Sequence, residues 1–268
     1  MLKRLRVCVA VLAAGASRRM GACKLALPLP DGTTLLGRAL DAALACATGP
    51  CPDDGASGGG EGLPGDSSYA VAGESSRDGG ASTACHVEVE VVAVTGAHRG
   101  EVAPIVASFG VRELHNPDWA LGQATSVALS ARHAIEGGFD ALLVTVADQP
   151  FVGVSHLHEL VARFAAQAGR DDRCESAGRH VPDMPMAPAA WRAMQRCTGR
   201  RGNPCLFARP CLAALTRLAG DEGARALFRD HPELSVCDVS FDDPLLFEDV
   251  DTPQDFVRVT ERFARPGC

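Results

Sequence analysis

The stretch Val7–Lys24, VCVAVLAAGASRRMGACK, decides the fold. Its first six residues, Val7 to Leu12, are apolar throughout and rich in valine. That is the pattern of a strand covered on both faces, as in a parallel sheet flanked by helices. The strand runs into Ala13, Ala14 and Gly15, whose small side chains let a ligand approach the backbone N–H groups. Arg18, Arg19 and Lys24 add cations to the same turn, a combination suited to phosphate oxygens. The plainer alternative is a tight turn carrying solvated basic residues. Lys3, Arg4 and Arg6 ahead of an apolar run also mimic a signal peptide. The run is short and ends in Ser17-Arg18-Arg19, so a buried first strand is the better reading.

Outward from this stretch, strand and helix patterns alternate. Val87–Val94, Val111–Leu114 and Ala141–Val146 read as strands, and Ser235–Val239 as a late one. Thr34–Ala45, Ala97–Ser108, Thr125–Ile135 and Ser155–Ala166 have helical spacing. Leu212–Ala219 and Ala224–Arg229 read as short helices, and Thr252–Arg262 as a closing helix capped by Asp251 or Thr252, with Pro253 in its first turn. This alternation predicts a single-domain α/β fold, a Rossmann-like, mainly parallel sheet with helices on both faces. Ligands of such sheets sit beyond the carboxyl ends of the strands, here after Leu12, Val94 and Val146. Two stretches break the pattern. Residues 48–86 are mostly Gly, Ser, Asp and Pro and read as a disordered insertion. Residues 169–198 show no strong period and read as irregular.

The 268 residues are 46% hydrophobic and carry a formal net charge of -7. A chain of this size buries a full core without disulfides. The acidic balance implies no broad basic face, so nucleic acid is not an expected partner. No apolar run approaches the roughly 20 residues of a membrane span, so no membrane partner is expected, and a cytoplasmic location follows. The 11 cysteines include no C-x-x-C pair. They read as small buried hydrophobes, with Cys23, beside the first motif, the candidate reactive thiol. His156 and His158, two apart on a helix, make a poor metal pair, and no histidine is assigned a catalytic part.

Two acidic motifs complete the picture. In Val146-Ala147-Asp148-Gln149-Pro150, Asp148 stands at the carboxyl end of a central strand, over the expected cleft. A carboxylate there suits Mg²⁺, which takes one or two carboxylates plus phosphate oxygens and waters. A turn-capping Asp before Pro150 is the alternative. In Glu248-Asp249-Val250-Asp251-Thr252-Pro253, either Asp249 or Asp251 suits a second ligand. Asp251 also suits helix capping, which favours Asp249 for metal.

The loop string L-A-A-G-x-S-x-R-M-G-x-x-K resembles the signature of the molybdopterin nucleotidyltransferases, within the wider sugar-nucleotide pyrophosphorylase superfamily. Asn116-Pro117-Asp118-Trp119-Ala120-Leu121-Gly122-Gln123-Ala124-Thr125-Ser126 resembles that family's N-P-x-W-x-x-G-M-x-S-S, and Gly199–Phe207 its G-R-R-G-H-P-V-L-F. Residues 248–255 resemble its D-I-D-T-P-E-D. Ala147 replaces the usual Gly of G-D-Q-P, and Asn203 stands where many members have His. The resemblance covers most of residues 5–47, 87–160 and 199–264. It implies a fold of the nucleotide-diphospho-sugar transferase type. It also implies that Leu12, Ala13, Ala14, Gly15, Arg18, Lys24, Gly122 and Ser126 bind the nucleotide. Arg19, Lys24 and Asp148 are the implied catalytic residues, with Mg²⁺ on Asp148 and Asp249. Ala14 favours CTP, because cytidylyl-transferring members tend to carry LAAG and guanylyl-transferring ones LAGG. The implied reaction moves a cytidylyl group to the molybdenum cofactor, with a molybdenum hydroxylase as the possible recipient. Competing readings are GTP or another phosphorylated acceptor, a carrier or insertion partner for such a hydroxylase, and an oxidoreductase. Against the last, no G-x-G-x-x-G follows a strand.

Overall fold

In a computed structural model, residues 3–49, 68–71, 85–176 and 188–264 are described. They form β1 Lys3–Ala13, α1 Leu35–Ala47, β2 Ser68–Val71, β3 Cys85–Thr95, α2 Arg99–Ser108, β4 Arg112–His115, α3 Gln123–Glu136, β5 Ala141–Val146, α4 Val154–Ser176, β6 Ala190–Gln195, β7 Arg201–Ala208, α5 Arg209–Leu215, α6 Arg225–Asp230, β8 Val236–Phe241 and α7 Pro253–Phe263.

β1 is central, with β3 and β5 as parallel neighbours. Every residue from Val7 to Ala13 is buried. Alternate side chains serve opposite cores, as the two-residue period of a strand requires. Val7, Val9 and Val11 join a cluster with Leu36 and Leu40 of α1, Val102 and Val106 of α2 and Leu157 and Leu160 of α4. Cys8, Ala10 and Leu12 join the other, with Val127 and Ala131 of α3, Leu212 and Leu215 of α5 and Leu227 of α6. Truncating a fully buried leucine such as Leu40 to alanine costs roughly 2–5 kcal/mol.

The sheet order is β2-β3-β1-β5-β7-β6-β8, with β4 also on β3. The α/β architecture with helices on both faces is as expected from sequence. Parallel pairing holds for β1 with β3, β1 with β5, β3 with β4 and β6 with β8. β7 departs from it, running antiparallel to both β5 and β6. Two expectations need correction. Within the stretch 48–86, Ser68–Val71 is a strand, antiparallel to the start of β3, and residues 50–67 and 72–84 lie outside the described residues. Within 169–198, α4 continues to Ser176 and Ala190–Gln195 forms β6, while residues 177–187 lie outside. β6 escapes a periodicity reading because its burial, BBiBiB, follows no clean alternation.

Helix starts follow the local chemistry. Thr34 caps α1 by accepting from the Gly37 N–H. Thr252, not Asp251, caps α7, in a reciprocal capping box with Asp255 and with Pro253 in the first turn. Among the described residues, no helix is long and apolar enough to cross a membrane.

Candidate active site

The carboxyl ends of β1 and β5 open onto a cleft of about 460 Å³. One wall is the loop after β1. The Ala97 N–H donates to the Ala14 carbonyl, tying the loop to the end of β3. Gly96 is needed there, since a Cβ on it would lie 2.7 Å from the Ala14 oxygen. Gly15 differs: a Cβ on it would meet nothing within 4 Å. The fold does not demand glycine at this position, and the open space faces the cleft. Ser17 adopts a left-handed φ of 48°, which turns the chain back. Its hydroxyl accepts from the Lys24 N–H, and its carbonyl from the Met20 N–H. His98, at the start of α2, bonds the Ala16 carbonyl through Nε2 at 3.0 Å.

Lys24 is delivered into the cleft by a 3-10 turn, Lys24–Ala26, and is buried. Its Nζ lies 2.9 Å from Asp148 Oδ2 and 2.9 Å from Asp251 Oδ1. Burial alone pulls its pKa down. The charges and hydrogen bonds of Asp148 and Asp251 outweigh that and hold it above the ordinary value. Arg19 reaches Asp251 at 3.5 Å across an exposed surface, where a pair contributes little stability.

Asp148 is fixed by its backbone: its carbonyl accepts from the Val250 N–H at 3.0 Å. This bond brings the Asp249–Asp251 segment alongside the end of β5. Asp249 accepts from Gln149 Nε2 at 2.7 Å and approaches Arg200 at 3.4 Å. Burial pushes the Asp249 carboxyl up, and the charges of Asp148 and Asp251 add to this, against the Gln149 bond and Arg200. The buried Gln149 Oε1 has no hydrogen-bond partner. Asp148 and Asp251 thus aim oxygens at one cationic nitrogen. That donor set fits an Mg²⁺-type ion, which takes few carboxylates and completes its shell with phosphate and water.

Leu12, Ala14, Gly15, Arg18, Arg19, Lys24, Gly122, Ser126 and Asp148 all line the cleft, as does Asp251. Ala13 does not; it packs in the core beside α1. Asp249 also stands off the cleft lining, although it senses the charges of Asp148 and Asp251. Gly122 has φ 113°, and a Cβ would strike the Gly220 carbonyl oxygen at 2.3 Å, so only glycine fits. Ser126 is buried and accepts from Asn116 Nδ2 at 2.9 Å. Sequence reasoning missed Asp221 and His98. Asp221 lines the cleft from a turn with no motif of its own. His98 is a helix-start histidine whose target, the Ala16 carbonyl, is 82 residues away. Burial and the nearby Glu101 charge push the Cys23 thiol up, and its bonds with Ala26 and Leu25 only partly offset this. A thiol held protonated in this way is a weak nucleophile on its own.

A second cavity of about 670 Å³ shares Leu12, Gln123 and Asp221 with the first. It adds Arg192, Arg201 and Arg225. Arg192 and Arg201 both bond Asp238, at 2.9 and 2.6 Å. Asp221 and Glu222 line the same cavity, so its charges are mixed.

Several known proteins resemble this chain in sequence or in fold. The purine catabolism protein PucB of Bacillus subtilis (strain 168) is 28% identical over 135 residues, 50% of this chain and 54% of PucB. The chain thus spans about half the length of that curated relative. The crystal structure of Rv0371c from Mycobacterium tuberculosis H37Rv superimposes with a TM-score of 0.63 at 22% identity, covering 97% of this chain and 100% of Rv0371c. Its complex with manganese gives 0.57 at 20%, covering 95% and 98%. A nucleotidyl transferase from Methanothermobacter thermautotroptrophicus gives 0.61 at 19%, covering 96% and 97%. These likenesses establish the shared fold. The family model described as "MobA-like NTP transferase domain" matches residues 9–52 and 69–235, most of the chain, and the chain belongs to that family.

Proposed function

We propose that this protein is a single-domain cytidylyltransferase that moves the cytidylyl group of CTP to the phosphate of the molybdenum cofactor, releasing pyrophosphate. The observation that carries the reading is the double contact of Lys24 Nζ with Asp148 and Asp251, at the mouth of the loop after β1. The family supports nucleotide chemistry. Ala14 supports CTP over GTP, on the loop resemblance.

An oxygen of the acceptor phosphate attacks the α-phosphorus. A new P–O bond forms, the bond to the β-phosphate oxygen breaks, and pyrophosphate carries off the electron pair. The nucleophile needs no covalent help, so the protein supplies position and charge. Backbone N–H groups of Ala14 to Ser17 face the triphosphate. Arg18 orients it, and Arg19 and Lys24 take up the charge on the leaving pyrophosphate. Leu12 and Ala13 support the loop from below, and Gly122 and Ser126 border the base. A bound Mg²⁺ would supply Lewis-acid charge neutralisation at the phosphates. Asp148 would hold it, with Asp249 or Asp251 as the second carboxylate; the capping of α7 by Thr252 leaves Asp251 available. The manganese complex of Rv0371c supports a divalent ion. Arg192, Arg201 and Arg225 receive the acceptor's phosphate in the second cavity. A CTP-consuming reaction fits a cytoplasmic location, and a molybdenum hydroxylase is the proposed recipient of the product.

Pyrophosphate release tests this, with each of the four nucleoside triphosphates in turn, Mg²⁺ and molybdenum cofactor. Release with CTP well above the other three supports the proposal. Preference for GTP overturns the base assignment. No release with any nucleotide overturns the enzyme, and delivery of cofactor to a hydroxylase without release would replace it with a carrier.

A further inference from the structure

Beneath the nucleotide loop, Cys23, His98 and Glu101 gather donor atoms within 4.8 Å of one another. Cys23 immediately precedes Lys24, while His98 and Glu101 lie at the start and in the first turn of α2. The hydrogen bonds decide what the cluster holds. The Ala16 carbonyl only accepts, so His98 Nε2 carries the hydrogen of that 3.0 Å bond. In neutral imidazole the other nitrogen, Nδ1, is then an acceptor. It faces Glu101 Oε1, also an acceptor, at 3.2 Å. Such a contact needs a cation between its partners, either a proton or a metal ion.

A metal ion has the better claim. A histidine that binds metal through one nitrogen commonly donates its other N–H to a backbone carbonyl, which fixes the tautomer. The Ala16 bond is that arrangement. The third donor is a buried sulfur, and thiolate with imidazole selects zinc-like ions over Mg²⁺. A tetrahedral zinc ion holds N, O and S ligands roughly 3.3–3.6 Å apart. Glu101 Oε1 already stands close to that spacing from His98 Nδ1, and all three donor atoms lie within 4.8 Å of one another.

We propose that Cys23, His98 and Glu101 bind one thiophilic divalent ion of the zinc class, with a water as fourth ligand, tying the nucleotide loop to α2. On binding, the Cys23 S–H proton passes to solvent as the metal–sulfur bond forms. No electrons are exchanged. None of the three residues lines the cleft, and the proposal does not depend on which nucleotide the cleft takes.

Cobalt(II) tests it, because thiolate ligation gives a charge-transfer absorption that carboxylates do not. Metal-free full-length protein is titrated with Co²⁺ in excess Mg²⁺, without nucleotide. The expected result is a thiolate band saturating at one equivalent, displaced by Zn²⁺ and absent in Cys23→Ser. Glu101→Gln, an exposed change that leaves the core intact, is expected to weaken binding at least about tenfold. No thiolate band in the unmodified protein overturns the proposal and leaves a plain imidazolium–carboxylate pair. So does a band that survives Cys23→Ser, or an affinity untouched by Glu101→Gln.

Discussion

Lys24 Nζ and Asp148 Oδ2 lie 2.9 Å apart although 124 residues separate them in the chain. The contact joins the loop after β1 to the end of β5, so two motifs that are independent in sequence share one cleft. It is also an ion pair whose cation is almost wholly buried, and removing one partner exposes what the other needs.

Asp148→Asn keeps the shape of the side chain and an acceptor for Lys24 but removes the negative charge. If Asp148 holds the metal, steady-state transfer falls by roughly two to three orders of magnitude. The far-ultraviolet circular dichroism stays unchanged. Transfer within a factor of two of the unmodified protein would remove Asp148 from the metal site.

Two glycines separate fold from ligand binding. Gly122→Ala forces φ 113° on a residue with a Cβ and drives that Cβ against the Gly220 carbonyl. A loss of at least roughly 1–3 kcal/mol in urea denaturation is expected. Gly15→Ala meets no protein atom, so the urea midpoint stays in place while CTP affinity falls. Unchanged CTP affinity would mean that the nucleotide does not pass over Gly15.

His156 supplies a pH dependence away from the cleft. Its Nδ1 accepts from the Gly153 N–H. Burial lowers its pKa, with Asp243 opposing. A folded value below the unfolded value of about 6.5 gives stability that is present above that pH and lost as pH falls through the folded value. His156→Asn keeps the acceptor and removes the titration. Melting temperatures measured from about pH 7 down to 5 are expected to fall less in this variant. Superimposable curves would show that His156 does not contribute.

Arg225 borders the second cavity and not the first. Arg225→Ala is therefore expected to raise KM for the phosphorylated acceptor several-fold while the Kd for CTP holds. A parallel loss in both would place Arg225 on the nucleotide.

Much of this was legible in the sequence. The apolar run Val7–Leu12 and the near-continuous one Ala141–Val146 marked central strands, because strands covered on both faces lack the usual alternation. The small-residue loop and Asp148 followed from strand ends. What escaped was set by distant partners. β7 runs antiparallel to β5, and nothing in Arg201–Ala208 states a direction. The Asp249–Asp251 choice turned on whether Asp251 was needed as a cap. The Thr252–Asp255 box relieves it of that task, and Lys24 then takes it. Asp249 instead meets Gln149, one residue past Asp148. His98 was invisible because a lone histidine carries no pattern until the Ala16 carbonyl lies beside it.

The most direct test of the central claim is a crystal structure with a non-hydrolysable CTP analogue and Mg²⁺. The expected result is a triphosphate lying along Ala14–Arg19, with Lys24 at its β- and γ-phosphates and the ion touching Asp148 and one of Asp249 or Asp251. A nucleotide seated outside this cleft, or an ion bound without Asp148, would contradict it.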